Sequence, residues 1–288
     1  MSFQMLEYRG QPAVQLVLPD GANCVVALHG AQLLSWTTAD GIERLYLSPD
    51  AVFDGHAAIR GGVPICWPQF NQRGPLQKHG FARNVSWQVA YEAPEGSSPS
   101  AKEGETQRVV LSLYDSEATR VIWPYKFSLH LAVILAPEQV RIELDVSNTD
   151  SMPWTFAAAL HTYLRVDDIA QVQLAGLFGA KRWDAVRDER HVEKAESLHF
   201  DSEFDSVYAT RAQPLQLMQP SGTVEISQSP GCTETIVWNP GAALSAKLAD
   251  MPDDGYRHML CVEAACVDDN ITLAPGAQWQ AWQQLSVS

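Results

Sequence analysis

Two ionisable residues sit where an apolar, strand-forming sequence would not ordinarily place them: His161 in TFAAALHTYLRV and Glu263 in LCVEAACV. Counted at alternate positions, Thr155, Ala157, Ala159, His161, Tyr163 and Arg165 share one face of the first run, with Phe156, Ala158, Leu160, Thr162 and Leu164 on the other. His161 therefore stands over a floor of alanines. In the second run Cys261, Glu263, Ala265 and Val267 lie opposite Leu260, Val262, Ala264 and Cys266. A carboxylate buried there without partners would cost several kcal/mol, so it points to solvent, to a paired cation or into a functional cavity. Singly, Glu263 reads as a strand-edge residue facing water and His161 as a hydrogen-bonded, half-buried one. Together, flanked by small side chains, they suit a cavity in which one group donates a proton at neutral pH and the other accepts it.

A second concentration of chemistry runs from Ile59 to Trp87, IRGGVPICWPQFNQRGPLQKHGFARNVSW. Neither a helical nor a long alternating period is present, so it reads as a string of loops shaped by glycine and proline. Arg60, Arg73, Lys78, His79 and Arg83 make it cationic within a chain of formal net charge −14. An anionic ligand is expected here. Arg60 precedes Gly61-Gly62 and Arg83 closes the His79-Gly80-Phe81 turn, so two guanidinium forks could grip one phosphate. Loop-locking salt bridges to nearby acids are the structural alternative. Arg73 reads as a solvated loop residue, and Trp36, Trp67, Trp87, Trp154 and Trp238 as packing residues, one or two of them able to stack on a sugar.

What is missing narrows the field. There is no P-loop, no GxGxxG between strand and helix, no GxSxG elbow and no HExxH or HxxxH spacing, so nucleotide, acyl-transfer and common zinc chemistry lose ground and no metal or cofactor is expected. The acidic balance opposes association with nucleic acid or anionic membrane beyond a Debye length of about 8 Å. With no signal-like N-terminus and no apolar run of spanning length, a cytoplasmic protein is expected. Five cysteines without a CxxC pair read as buried free thiols.

The elements that must position these groups are strands. Val14–Leu18, Asn23–Leu28, Ala31–Trp36, Trp87–Tyr91, Arg108–Tyr114, Phe127–Leu135, Gln139–Val146 and Trp154–Val166 read as β. So do Gln171–Leu177, Leu215–Met218, Val224–Gln228, Glu234–Trp238, the run around Glu263, Ile271–Leu273 and Trp279–Val287. Asp115–Tyr125, stopped by Pro124, and Ala242–Ala249 allow short helices. Glu92–Glu105 reads as an exposed loop and the charged stretch Lys181–Glu203 as irregular. The fold class is all-β: a large antiparallel sandwich of two sheets in a single domain over residues 1–288, the runner-up being two β domains cut near Glu92–Glu105.

In their order and separations, IRGGVPICWPQF, KHGFARNVSW, AALHTYLRV, FDSVY and CVEAA resemble the hexose-6-phosphate mutarotase, or glucose-6-phosphate 1-epimerase, branch of the aldose 1-epimerase family, over nearly the whole chain. The resemblance implies a β-supersandwich, chemistry without a metal, and a phosphosugar substrate such as glucose 6-phosphate; a monomer is expected. It implies His161 and Glu263 as the catalytic pair, Arg60 and Arg83 as phosphate ligands, and His79 and Asp205 as groups lining the sugar site. Lys78 stands where glutamine is common in relatives, so it either adds charge to the phosphate pocket or faces solvent. Opening a pyranose requires a proton on the ring oxygen and loss of one from the C1 hydroxyl; rotation about C1–C2 and reclosure give the other anomer. On that scheme Glu263 is the base at the hydroxyl and His161 the acid at the ring oxygen, acting from opposite sides. A catalytically silent phosphosugar-binding sandwich with a regulatory role is the alternative.

Overall fold

Alternating apolar residues and closely spaced turns give strands, and a computed structural model describes how they pair over residues 3–90, 106–209 and 213–287. The expected Glu92–Glu105 loop lies outside the described residues. Among those described, the strands form three sheets of four, eight and nine strands, paired antiparallel throughout. The four-stranded sheet is a meander, Phe3–Tyr8, Gln11–Val17, Asn23–Ala27 and Leu33–Thr37. Its first strand went unseen in the sequence, where the polar positions of FQMLEY hide the alternation.

The eight-stranded sheet carries the site. Across it run Glu189–Val192, Lys181–Asp184, Phe204–Ala209, Glu234–Asn239, Met259–Leu273, Trp154–Leu160 and Ile65–Cys66, with Tyr163–Arg165 also paired to Met259–Leu273. Its inner face supplies Phe156, Ala158, Leu160, Leu164, Val237, Leu260, Val262 and Ala264 to the main core. The nine-stranded sheet answers with Leu129, Leu131, Val133, Ile142, Leu144, Val146, Ala281 and Leu285. Even the polar contact at this seam is satisfied: the buried Thr162 hydroxyl donates to Gln283 Oε1 at 2.5 Å, and Gln283 Nε2 donates to Val262 O at 2.9 Å. The outer face holds Ala157, Ala159, Val207, Ile236, Ala265 and Val267. These small and medium side chains leave room above the sheet.

Three expectations change. Lys181–Glu203 is not irregular: Lys181–Asp184 and Glu189–Val192 form a hairpin, and Ser197–Leu198 joins the other large sheet. Charges on both faces conceal its period, Arg182 being paired with Asp184 at 3.3 Å and Glu193 at 3.2 Å. Ile271–Leu273 is not separate but the end of the 15-residue strand Met259–Leu273. Trp154–Val166 is interrupted between Leu160 and Tyr163. The helices are short, as expected: Glu117–Ile122, opened by a Ser116 capping box, and Gly241–Ser245. No described helix is long and apolar enough to cross a membrane. All five cysteines are buried and free.

Candidate active site

His161 occupies the interruption between Trp154–Leu160 and Tyr163–Arg165. A loop edge replaces the missing ladder there: the His161 N–H donates to Pro64 O at 3.0 Å and the Tyr163 N–H to Gly62 O at 2.8 Å. That edge is possible because position 62 is glycine. Gly62 has φ +60°, and a Cβ on it would lie 2.1 Å from Leu33 O. The His161 ring stacks on Tyr163, centroids 4.9 Å apart and planes within 10°, and meets Trp238 edge-on at 6.1 Å. Its orientation is therefore set by packing.

Glu263 arrives from the middle of the neighbouring strand, paired with Ile236. It is 1% exposed, and its Oε1 lies 3.3 Å from His161 Nδ1, close enough to pair but off the line of a hydrogen bond. His161 Nδ1 and Glu263 Oε2 have no hydrogen-bond partner among the described residues. Burial pushes the Glu263 carboxyl well above the usual range, helped by Asp205 and opposed by Arg83 and Lys78. Burial likewise pushes the His161 imidazole well below its ordinary value, with Arg83 and Arg60 adding to the effect. In the free site burial thus favours the uncharged form of both groups.

His79 contributes a third ring. Its φ is +67°, and Gly80 beside it is also left-handed, with the position of an added Cβ only 2.1 Å from Trp67 O. The turn folds tightly under Trp67 and aims the imidazole into the cavity. The Asn71 N–H donates to His79 Nδ1 at 3.3 Å, and Cys66 Sγ lies 3.2 Å from the same nitrogen. Burial pushes the Cys66 thiol up to about 12, so it stays a donor. With Nδ1 accepting, the ring proton belongs on Nε2. Burial, followed by His161 and Arg83, holds His79 far below the ordinary histidine range, so it is a neutral donor.

One cavity of about 270 Å³ brings together Arg60, Lys78, His79, Arg83, His161, Asp205 and Glu263. Its cations are not equivalent. Arg60 already pairs with Asp250 at 3.1 Å and donates to the Tyr163 hydroxyl at 3.0 Å, so much of its charge is answered within the protein. Arg83 donates to Lys78 O at 3.0 Å, while its buried Nε has no hydrogen-bond partner among the described residues. Neither Arg83 nor Lys78 forms an ion pair among the described residues. Asp205, half-buried opposite them, has its carboxyl raised by burial and lowered by Lys78.

Several lining residues went unrecognised. Arg73 is not a solvated loop residue: it bonds Asp268 at 2.9 Å and Val267 O at 3.0 Å, with its guanidinium 4.9 Å from the Trp183 ring centre. Asp250 is 190 positions from its partner Arg60, a separation that leaves no local signal. Tyr163 was legible as sharing a face with His161. Trp238 and Trp183 line the cavity, whereas Trp36, Trp67, Trp87 and Trp154 are buried in the core.

Comparison with known proteins places the chain among aldose 1-epimerases. A family profile described as aldose 1-epimerase matches residues 12–286. A curated protein of Cenchrus ciliaris with the provisional name glucose-6-phosphate 1-epimerase is 35% identical over 281 residues, covering 94% of this chain and 84% of its own. One of the same provisional name from Escherichia coli is 36% identical over 245 residues, covering 83% and 78%. A crystal structure from Salmonella typhimurium, provisionally described as a mutarotase, superposes with a TM-score of 0.87 at 29% identity, covering 100% of this chain and 94% of that one.

Proposed function

The chain belongs to the aldose 1-epimerase family, and from that premise we propose that it interconverts the α and β anomers of a hexose 6-phosphate, D-glucose 6-phosphate foremost, by opening and reclosing the ring at C1. The observation that carries the reading is the His161–Glu263 contact of 3.3 Å in a cavity that also presents Arg83 and Lys78. A proton-transfer pair and an anion-binding wall in one cavity match a sugar whose reacting carbon and phosphate lie at opposite ends.

The pair is adjacent rather than split across the ring, which corrects the opposite-sides expectation. Adjacency suffices, because the C1 hydroxyl and ring oxygen are both bonded to C1. Neutral Glu263 with neutral His161, and carboxylate with imidazolium, contain the same protons and differ by one transfer across the contact. Binding favours the second form for two reasons. A sugar hydroxyl donating to Glu263 Oε2 supplies the donor that this oxygen lacks. A phosphate on Arg83 and Arg60 offsets two of the charges that hold His161 neutral. Glu263 then takes the C1 hydroxyl proton while His161 protonates the ring oxygen; reclosure reverses both. His79 Nε2–H steadies a sugar oxygen, and Asp205 accepts from a hydroxyl. Every group comes from one chain, so the reading calls for no second subunit, and it requires no cofactor.

The phosphate assignment is tested by kinetics of Arg83→Ala with glucose 6-phosphate and free glucose. Expected is a fall in kcat/KM for the ester by about 10²-fold, the scale of a charged hydrogen-bonding partner, with free glucose little changed. Equal losses on both substrates would remove Arg83 from phosphate recognition.

A further inference from the structure

Behind the reacting pair lies a third group with no part in the proposed reaction. Cys261 is two residues before Glu263 on the same strand, on the same side of the sheet, and fully buried among Tyr46, Tyr163, Met251 and Met259. A ring nitrogen of His161, the Cys261 sulfur and a carboxylate oxygen of Glu263 all lie within 4.8 Å of one another. We propose that these three side chains form a site for a thiophilic divalent cation of the Zn²⁺ class, whose occupation shuts the active site.

The donor set fits that cation. Imidazole nitrogen, thiolate sulfur and carboxylate oxygen are the three ligand types zinc takes, and a three-ligand site leaves a fourth position for water or a sugar hydroxyl from the cavity. Bond lengths of about 2.0 Å to nitrogen or oxygen and 2.3 Å to sulfur put tetrahedral ligands roughly 3.3–3.5 Å apart. The His161–Glu263 separation of 3.3 Å is already of that size. The sulfur, within 4.8 Å of both other donors, has to draw in by no more than about 1.5 Å to reach that spacing.

Charge and hydrogen bonding point the same way. A dication with one thiolate, one carboxylate and one neutral imidazole is electrically neutral, the arrangement a buried site tolerates best. His161 Nδ1 and Glu263 Oε2 are both buried without a hydrogen-bond partner among the described residues, leaving two polar atoms here that a cation would satisfy. His161 and Glu263 line the cavity, giving a route in; Cys261 waits behind them.

Metal binding stands on this geometry alone, while inhibition rests on the mutarotase reading; the two are separated by reading binding without turnover. Titration of the intact protein with Co²⁺ should give a thiolate-to-metal charge-transfer band, abolished in Cys261→Ala. With Zn²⁺, anomerisation should fall and recover on chelation, glucose 6-phosphate should protect, and Cys261→Ala should keep its basal rate while needing about tenfold or more Zn²⁺ for the same inhibition. A cobalt spectrum of the wild-type protein without the thiolate band would overturn the site, whatever the stability of the variant. So would equal zinc sensitivity in a folded Cys261→Ala protein.

Discussion

At the scale of residues, the proposed chemistry rests on two groups that burial has driven toward each other's protonation range. Glu263 is raised and His161 lowered, so one proton is shared between sites that would differ by about two units in water. Removing either member should cost about 10²- to 10⁴-fold in kcat with modest change in KM. Because the two act as a unit, the double variant His161→Asn/Glu263→Gln should lose little more than the worse single one, and stopped-flow polarimetry of all three decides it. The same burial shapes stability. From pH 6.5 down to 4.5, unfolding lets His79 and His161 take up protons that the fold denies them, a contribution to stability lost as pH falls below the unfolded histidine value. Glu263 works oppositely, its contribution being present below the unfolded carboxyl value and lost as pH rises through the folded one. The two histidines therefore make stability fall as pH drops through that window, and Glu263 offsets part of that slope. Urea unfolding at several pH values should show that slope reduced by one proton in His161→Asn; an unchanged slope would mean that His161 is not held neutral.

At the scale of elements, the site depends on a strand that breaks and a loop that takes over its pairing. Gly62 makes this possible, and Gly62→Ala is expected to cost about 3 kcal/mol or more, because its Cβ would strike the Leu33 carbonyl as well as strain the backbone. Gly276 is the control: its φ of +75° is similar, but nothing lies within 4 Å of an added Cβ, so Gly276→Ala should cost only about 1 kcal/mol. Thermal unfolding of the two variants separates collision from strain. These elements also show why sequence reading reached as far as it did. Period-two alternation around His161 and Glu263 survives the break and the bulge between Phe156 and Ala158, so both faces were assigned correctly. The Lys181–Val192 hairpin was not legible, because a half-buried Arg182 held by two ion pairs looks like any surface charge in a list of letters. Nor was the Arg60–Asp250 pair, since only the closed sheet brings those positions together.

At the scale of the whole molecule, a chain of net charge −14 gathers Arg60, Arg73, Lys78 and Arg83 around one cavity. Such a distribution opposes polyanions in general and holds one small anion by short-range contacts, where screening is least effective. The eight-stranded sheet is what joins this wall to the reacting pair: its inner face is spent on the core, and its outer face keeps the small side chains that leave a sugar-sized space. In the proposed function, remote binding of the phosphate serves to orient C1, which is how recognition at one end of a substrate becomes rate at the other. The most direct measurement is anomer exchange of glucose 6-phosphate followed by NMR, with free glucose alongside and Glu263→Gln as control. The account predicts that the protein accelerates exchange of the ester well above that of free glucose, and that Glu263→Gln returns it nearly to the buffer rate. Exchange at the buffer rate with wild-type protein, or a fully active Glu263→Gln, would contradict it.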